Sequence, residues 1–238
     1  MIRFYAPSMP GDPVLPESDS AHCVRVLRMR AGDAVEAVDG RGTLYHCTLI
    51  DANPKHAVLK IDSSEPLPKV WPAPITLAVA PTKNNDRIEW LVEKLVEIGI
   101  DRIIPLRCEH SERKDINRER LEKIAVSAMK QSLKAVLPVI DPMTPFNRFI
   151  DENNESDCRY VAYCDPTIPR QLFAKQYVPG KPTVILIGPE GDFSPTEIEY
   201  ALRKGWKPVS LGDNRLRTET AALVAVDTCH ILNQFLLQ

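Results

Sequence analysis

Two hydrophobic rhythms divide the chain. In the first, up to about Ile61, Tyr45, Cys47 and Leu49 alternate with His46, Thr48 and Ile50. A period of two predicts a strand, packed on both sides or set within a small barrel. Asp39-Gly40 and Arg41-Gly42 supply the turn before it. "HAVLKI" reads as another strand, and "SAHCVRVLRMRAGD" as a short helix ending at Gly32. Pro66, Pro68, Pro72 and Pro74 then forbid a regular helix or central strand. The chain is expected to divide there, into domains 1–70 and 74–238.

From Ile75 onward strands and helices alternate. "ITLAVAP", "DRIIPLRC", "RYVAYCD", "TVILIG" and "PVSLG" are short apolar runs. "DRIEWLVEKLVEIG" carries Ile88, Leu91, Val92, Leu95 and Val96 at helical spacing, with Gly99 as its stop. "INRERLEKIAVSAMKQSLKAV" is a second amphipathic helix, and "TETAALVAVDTCHILNQFLL" closes the chain. This order predicts an α/β domain whose parallel sheet is covered on both faces. The closing helix is apolar on more than one face, at Ala222, Leu223, Val226, Ile231, Leu232, Phe235 and Leu236. A dimer interface would bury that surplus.

Composition narrows the classes. A formal charge of −2 is not that of a generic nucleic-acid-coating protein, though it leaves room for a basic face. Arg113 to Lys134 holds seven basic residues against three acids, and Arg25, Arg28 and Arg30 form a second cluster. No apolar run approaches the roughly 18 residues of a membrane helix, and "MIRFYAPSMPGDP" has no signal-peptide core. The expected compartment is the cytoplasm. None of the six cysteines forms a C-x-x-C pair, so they read as reduced packing residues, and no metal is expected.

Chemistry concentrates in two strand-to-helix turns. After Ile187, Gly188 and Gly191 leave out side chains where ligands of parallel sheets collect. Ser194, Pro195 and Glu197 then spell a capping box with proline at the first helical position. Gly212 ends the next strand, "DNRLR" follows, and Thr218 or Thr220 is the expected cap of the last helix. Arg215 and Arg217 sit beside a helix N-terminus, which disfavours cations and points to a partner for them. There is no G-x-G-x-x-G, P-loop or G-x-S-x-G motif, so dinucleotide, nucleoside-triphosphatase and α/β-hydrolase chemistries are not indicated.

"IGPEGDFSPTE" and "LGDNRLRTETAA" together closely resemble the C-terminal signature of the SPOUT superfamily, specifically its 16S ribosomal RNA uridine-N3 methyltransferases (the RsmE family). "KNNDRIEWLVEKLVEIGIDRIIPL" is similar to that family's lysine, arginine, glutamate-leucine-glycine and proline pattern, and "HCVRVLRMRAGD" to its N-terminal block. Departures are Lys130-Gln131-Ser132-Leu133-Lys134 where relatives carry "EQSxR", one histidine (His22) where two are common, and the loose "CEHSERK".

The resemblance implies a PUA-like β-barrel that helps bind RNA, followed by a SPOUT α/β domain with a deep trefoil knot. It implies S-adenosyl-L-methionine in a pocket of Ile187, Gly188, Pro189, Glu190, Gly191, Leu211, Gly212, Leu216, Arg217 and Thr218. The implied reaction is methylation of uracil N3 at position 1498 of 16S ribosomal RNA, within the small subunit or its precursor, by a homodimer. Uracil N3 carries a proton, so Arg217, Glu190 and Glu219 are the catalytic candidates. Both acids also suit helix N-termini electrostatically. Arg25, Arg28, Arg30, Lys83, Arg113, Arg120, Lys130 and Lys134 are the expected RNA contacts. Transfer RNA as substrate, or a non-catalytic RNA-binding or assembly role, remain the alternatives.

Overall fold

The computed structural model describes residues 2–153, 158–164 and 169–236. The chain forms two compact units. One comprises Met1–Val70 with Ala125–Leu137, the other Trp71–Ile124 with Pro138–Gln238.

The first unit is built on a four-stranded sheet of order β1-β2-β3-β4: β1 (Arg3–Tyr5), β2 (Ala34–Val38), β3 (Thr43–Asp51) and β4 (Val58–Pro66). β1 lies parallel to β2, and the other pairs are antiparallel. Tyr45, Cys47 and Leu49 face a core with Phe4, Leu15 and Leu59, while Ile50 is exposed. Alternation therefore marks one buried face, not two. The helix expected to end at Gly32 is shorter and earlier: α1 (Glu17–Ala21) widens into a π-type turn at His22–Val26. Arg28 then takes a left-handed conformation that breaks it (φ 57°).

Residues 125–137 fall within the expected domain 74–238 but group with the first compact unit. α3 (Arg118–Gln131) stops short of the predicted Val136, with Leu133 left-handed (φ 56°). The chain beyond it pairs with the first unit: Gly42 N–H donates to Ala135 O at 2.9 Å, and Leu137 N–H to Gly40 O at 2.9 Å. Lys130 Nζ donates to the buried Asp19 at 2.6 Å, and Asp19 also accepts from Tyr5 N–H at 2.8 Å.

The second unit is a parallel α/β sheet. Its strands are β5 (Ile75–Val79), β6 (Arg102–Arg107), β7 (Val139–Ile140), β8 (Thr144–Pro145), β9 (Cys158–Ala162), β10 (Gln171–Leu172), β11 (Thr183–Ile187) and β12 (Lys207–Ser210). The order is β10-β12-β9-β11-β5-β6-β7, with β8 also beside β6, and every pairing is parallel. The helices are α2 (Asn85–Ile98), α4 (Phe146–Glu152), α5 (Phe173–Gln176), α6 (Pro195–Arg203) and α7 (Thr218–Leu236). All five predicted apolar positions of α2 are buried; Asn84 caps its start and Gly99 its end. α7 packs against α2 and buries Ala222 and Val226, but leaves Ile231, Phe235 and Leu236 exposed. Asp165 and Leu237, at the ends of a predicted strand and of the last predicted helix, lie outside the described residues. No described helix is long and apolar enough to cross a membrane.

Candidate functional site

β11 and β12 flank β9, so their carboxyl ends open side by side. The loops that follow them, together with residues after β9, line a cavity of about 760 Å³, a volume suited to a small molecule. Ile187, Gly188, Pro189, Glu190, Gly191, Leu211, Gly212, Leu216, Arg217 and Thr218 all line it. Two motifs 20 residues apart in sequence thus converge on one space. Thr218 Oγ1 joins them, donating to Gly188 O at 3.2 Å. Thr218 is the first residue of α7, so neither predicted threonine precedes the helix as a cap.

The first loop is pinned from several sides. Asp192 is left-handed (φ 61°), and its carboxylate accepts from Phe193 N–H at 2.8 Å and Cys164 N–H at 2.9 Å. His110 Nδ1 lies 3.1 Å from both Gly191 O and Asp192 O. Carbonyl oxygens only accept, so the ring proton resides on Nδ1. α6 begins with the predicted capping box: Glu197 N–H donates to Ser194 Oγ at 3.3 Å and Ser194 N–H to Glu197 Oε2 at 2.9 Å. Glu197 Oε1 also accepts from Glu109 N–H at 2.9 Å.

The second loop is open. A Cβ added at Gly212 would meet nothing within 4 Å, and its φ of 114° suits glycine alone. Arg215 and Arg217 line the cavity, are exposed, and among the described residues their guanidiniums make no hydrogen bond or ion pair. Cys164 is the exposed thiol of the wall. Partial burial first, then Asp192, pushes its pKa up, so it is not a ready thiolate nucleophile. Among the described residues no cluster could hold a metal.

Residues 69–230 match the family model of the RNA methyltransferase domain, and residues 15–62 that of the RNA methyltransferase PUA domain. The chain belongs to the RNA methyltransferase domain family. The methyltransferase unit is thus preceded by a PUA domain. Over 99% of both chains, the structure is similar to a "probable rRNA-methyltransferase" from Porphyromonas gingivalis (46% identity, TM-score 0.93). It is also similar to ribosomal RNA small subunit methyltransferase E from Neisseria gonorrhoeae bound to S-adenosyl methionine, at 26% identity and TM-score 0.82 over 98% of both chains. Ribosomal RNA small subunit methyltransferase E of Buchnera aphidicola (strain APS) is 29% identical over 89% of this chain and 85% of that protein.

In this methyltransferase the expected RNA cations divide into two groups. Arg25, Arg28 and Arg30 are exposed, with no side-chain partner among the described residues. The others are engaged within the chain. Lys130 holds Asp19, and Arg120 holds Glu89 (Nη2 to Oε2, 2.7 Å). Arg113 donates to the carbonyls of Thr82 and Lys83. Lys83 lies 3.3 Å from Glu112, with both side chains largely exposed. Lys134 is half-buried and also engaged.

The sequence reading missed Arg87. It lines the cavity, donates to Glu190 Oε1 at 2.8 Å, and stands 3.6 Å from Glu219. Arg87 lies in the first turn of α2, where a cation opposes the helix dipole. A cation beside a helix N-terminus is the same signal that marks Arg215 and Arg217 in the sequence.

Proposed function

We propose that the chain methylates N3 of a uridine in 16S ribosomal RNA, that of position 1498, within the small ribosomal subunit or its precursor, with S-adenosyl-L-methionine as methyl donor. The observation that carries this reading is the convergence of both glycine-bearing loops on one cavity with two guanidiniums that have no partner among the described residues. The donor set fits such a cofactor. Ile187, Val209, Leu211 and Leu216 give an apolar lining, open space at Gly212 admits a ligand against the backbone, and polar main chain ends each strand. When bound, S-adenosylmethionine supplies a methyl group on a positively charged sulfur.

The protein's tasks are then positional and electrostatic. Main-chain groups around Gly188, Leu211, Gly212 and Leu216 hold the nucleoside. Arg217 stabilises negative charge developing on the uracil oxygens. Glu190 accepts the N3 proton, and Glu219 sets the charge around Arg87. Arg25, Arg28 and Arg30, with the exposed Lys83, contact RNA phosphates. The exposed Ile231, Phe235 and Leu236 of α7 are covered by a second copy, giving a homodimer. The methyltransferase unit carries the deep trefoil knot of the SPOUT superfamily, and the enzyme works in the cytoplasm.

Purified protein incubated with S-adenosylmethionine and small subunits from a strain lacking the modification should produce 3-methyluridine, identified by nucleoside mass spectrometry. Methylation of transfer RNA instead would change the substrate. Cofactor binding without methylation of either RNA would favour a non-catalytic assembly role.

A further inference from the structure

Arg87 stands between two carboxylates that it serves unequally. Its Nη1 donates to Glu190 Oε1 at 2.8 Å, whereas its Nε is 3.6 Å from Glu219 Oε1, too far for a hydrogen bond. Yet Glu219 has the greater need. Its side chain is 11% exposed, against 50% for Glu190, and its Oε2 is buried with no hydrogen-bond partner among the described residues. An unpaired buried carboxylate oxygen is costly, while an exposed ion pair is worth little. Glu219 also lies in the first turn of α7, where the helix dipole supports a negative charge. Arg87 is 31% exposed and borders the cavity, so its guanidinium has room to swing.

We propose that Arg87 is a positioning residue that works as a latch. Before the pyrimidine arrives it holds Glu190. When the pyrimidine engages Glu190, Arg87 moves to Glu219 and pairs with both of its oxygens. Glu190 Oε1 is then free to take a proton, which it could not do cheaply while bonded to a guanidinium. The proton of the uracil N3–H bond passes to Glu190 Oε1, and the electron pair of that bond stays on N3 as the pair used for methylation. The proton later leaves Glu190 for water. This latch rests on the reading that Glu190 is the proton acceptor.

Two measurements test it. The first uses the free protein. Glu190→Gln should already send Arg87 to Glu219, so Arg87→Gln should lower Tm more in the Glu190→Gln background than alone. Equal or smaller losses in that background would overturn the latch. The second is single-turnover methylation of small subunits. Glu219→Gln removes the charge that draws Arg87 away, and should slow the reaction by about tenfold or more. Adding Arg87→Gln should recover part of that loss, since no latch remains to be opened. A double variant no faster than Glu219→Gln would overturn the proposal and make Glu219 or Arg87 a direct participant. If wild-type protein leaves the subunits unmethylated, the substrate reading alone fails, and the Tm comparison still decides whether Arg87 moves.

Discussion

The loops after β11 and β12 follow strands on either side of β9, yet they are built in opposite ways. Around the first, Asp192, His110 and Thr218 spend their hydrogen bonds on holding Gly188 to Asp192 in place. A Cβ at Gly188 would already crowd the Phe193 ring at 3.1 Å. Around the second, Gly212 faces empty space and two arginines have no partner among the described residues. The difference teaches that a site needs both a fixed wall and unspent valences. The fixed loop sets geometry without reorganisation on binding, and the open one keeps its donors for the ligand.

Arg217→Ala breaks the comparison most sharply. The side chain has no hydrogen bond or ion pair among the described residues, so the variant should melt near wild type and still bind S-adenosylmethionine. Single-turnover methylation should fall by about two to three orders of magnitude, as when a preorganised donor is lost. A near-normal rate would remove Arg217 from the chemistry. Asp192→Ala strikes the fixed loop instead. It deletes two main-chain hydrogen bonds and leaves alanine in a left-handed conformation. Stability should fall by roughly 1–2 kcal/mol, read in urea titration. Unchanged stability would show that the wall does not depend on it.

Gly212→Ala should weaken cofactor binding by about three- to tenfold in calorimetry. The new methyl group enters open space, and the loop must leave a φ of 114° or bear the strain. Unaltered affinity would take Gly212 out of the pocket. The smallest effect concerns Cys164. Its raised pKa means little thiolate at pH 7, so iodoacetamide should react slowly there and faster as pH rises. S-adenosylmethionine should slow that alkylation, and a Cys164→Ser control should abolish it. Equal reactivity with and without cofactor would place Cys164 away from the ligand.

Local order was the legible part of the sequence. The five buried positions of α2 and the Ser194–Glu197 capping box follow from spacing within a few residues, and both formed as expected. The parallel sheet followed from alternation of elements, which is also local. Pairings between distant residues were not legible. Lys130 reads as one more cation in a basic helix until Asp19, 111 positions away, is placed against it. Arg87 and Glu190 are separated by 103 positions. The family resemblance brought the two glycine loops together in advance, but it did not say which acid would be spent on structure. Asp192 is the acid that fixes the turn, and Glu190 the one left at the surface.

The return of Ala125–Leu137 to the first unit has a consequence for how the chain is made. A ribosome releases the N-terminal strands first, and domains ordinarily fold in that order. Here β1 to β4 emerge with Asp19 lacking its ammonium partner, and with Gly40 and Gly42 lacking the segment they bond. An uncompensated buried charge opposes completion of such a core. Completion of the N-terminal unit therefore waits until Leu137 has itself left the ribosome, by which time β5 and β6 of the next sheet are already outside. Nascent chains arrested after residue 70 should remain protease-sensitive, and those arrested well beyond residue 137 should become protected across the first unit.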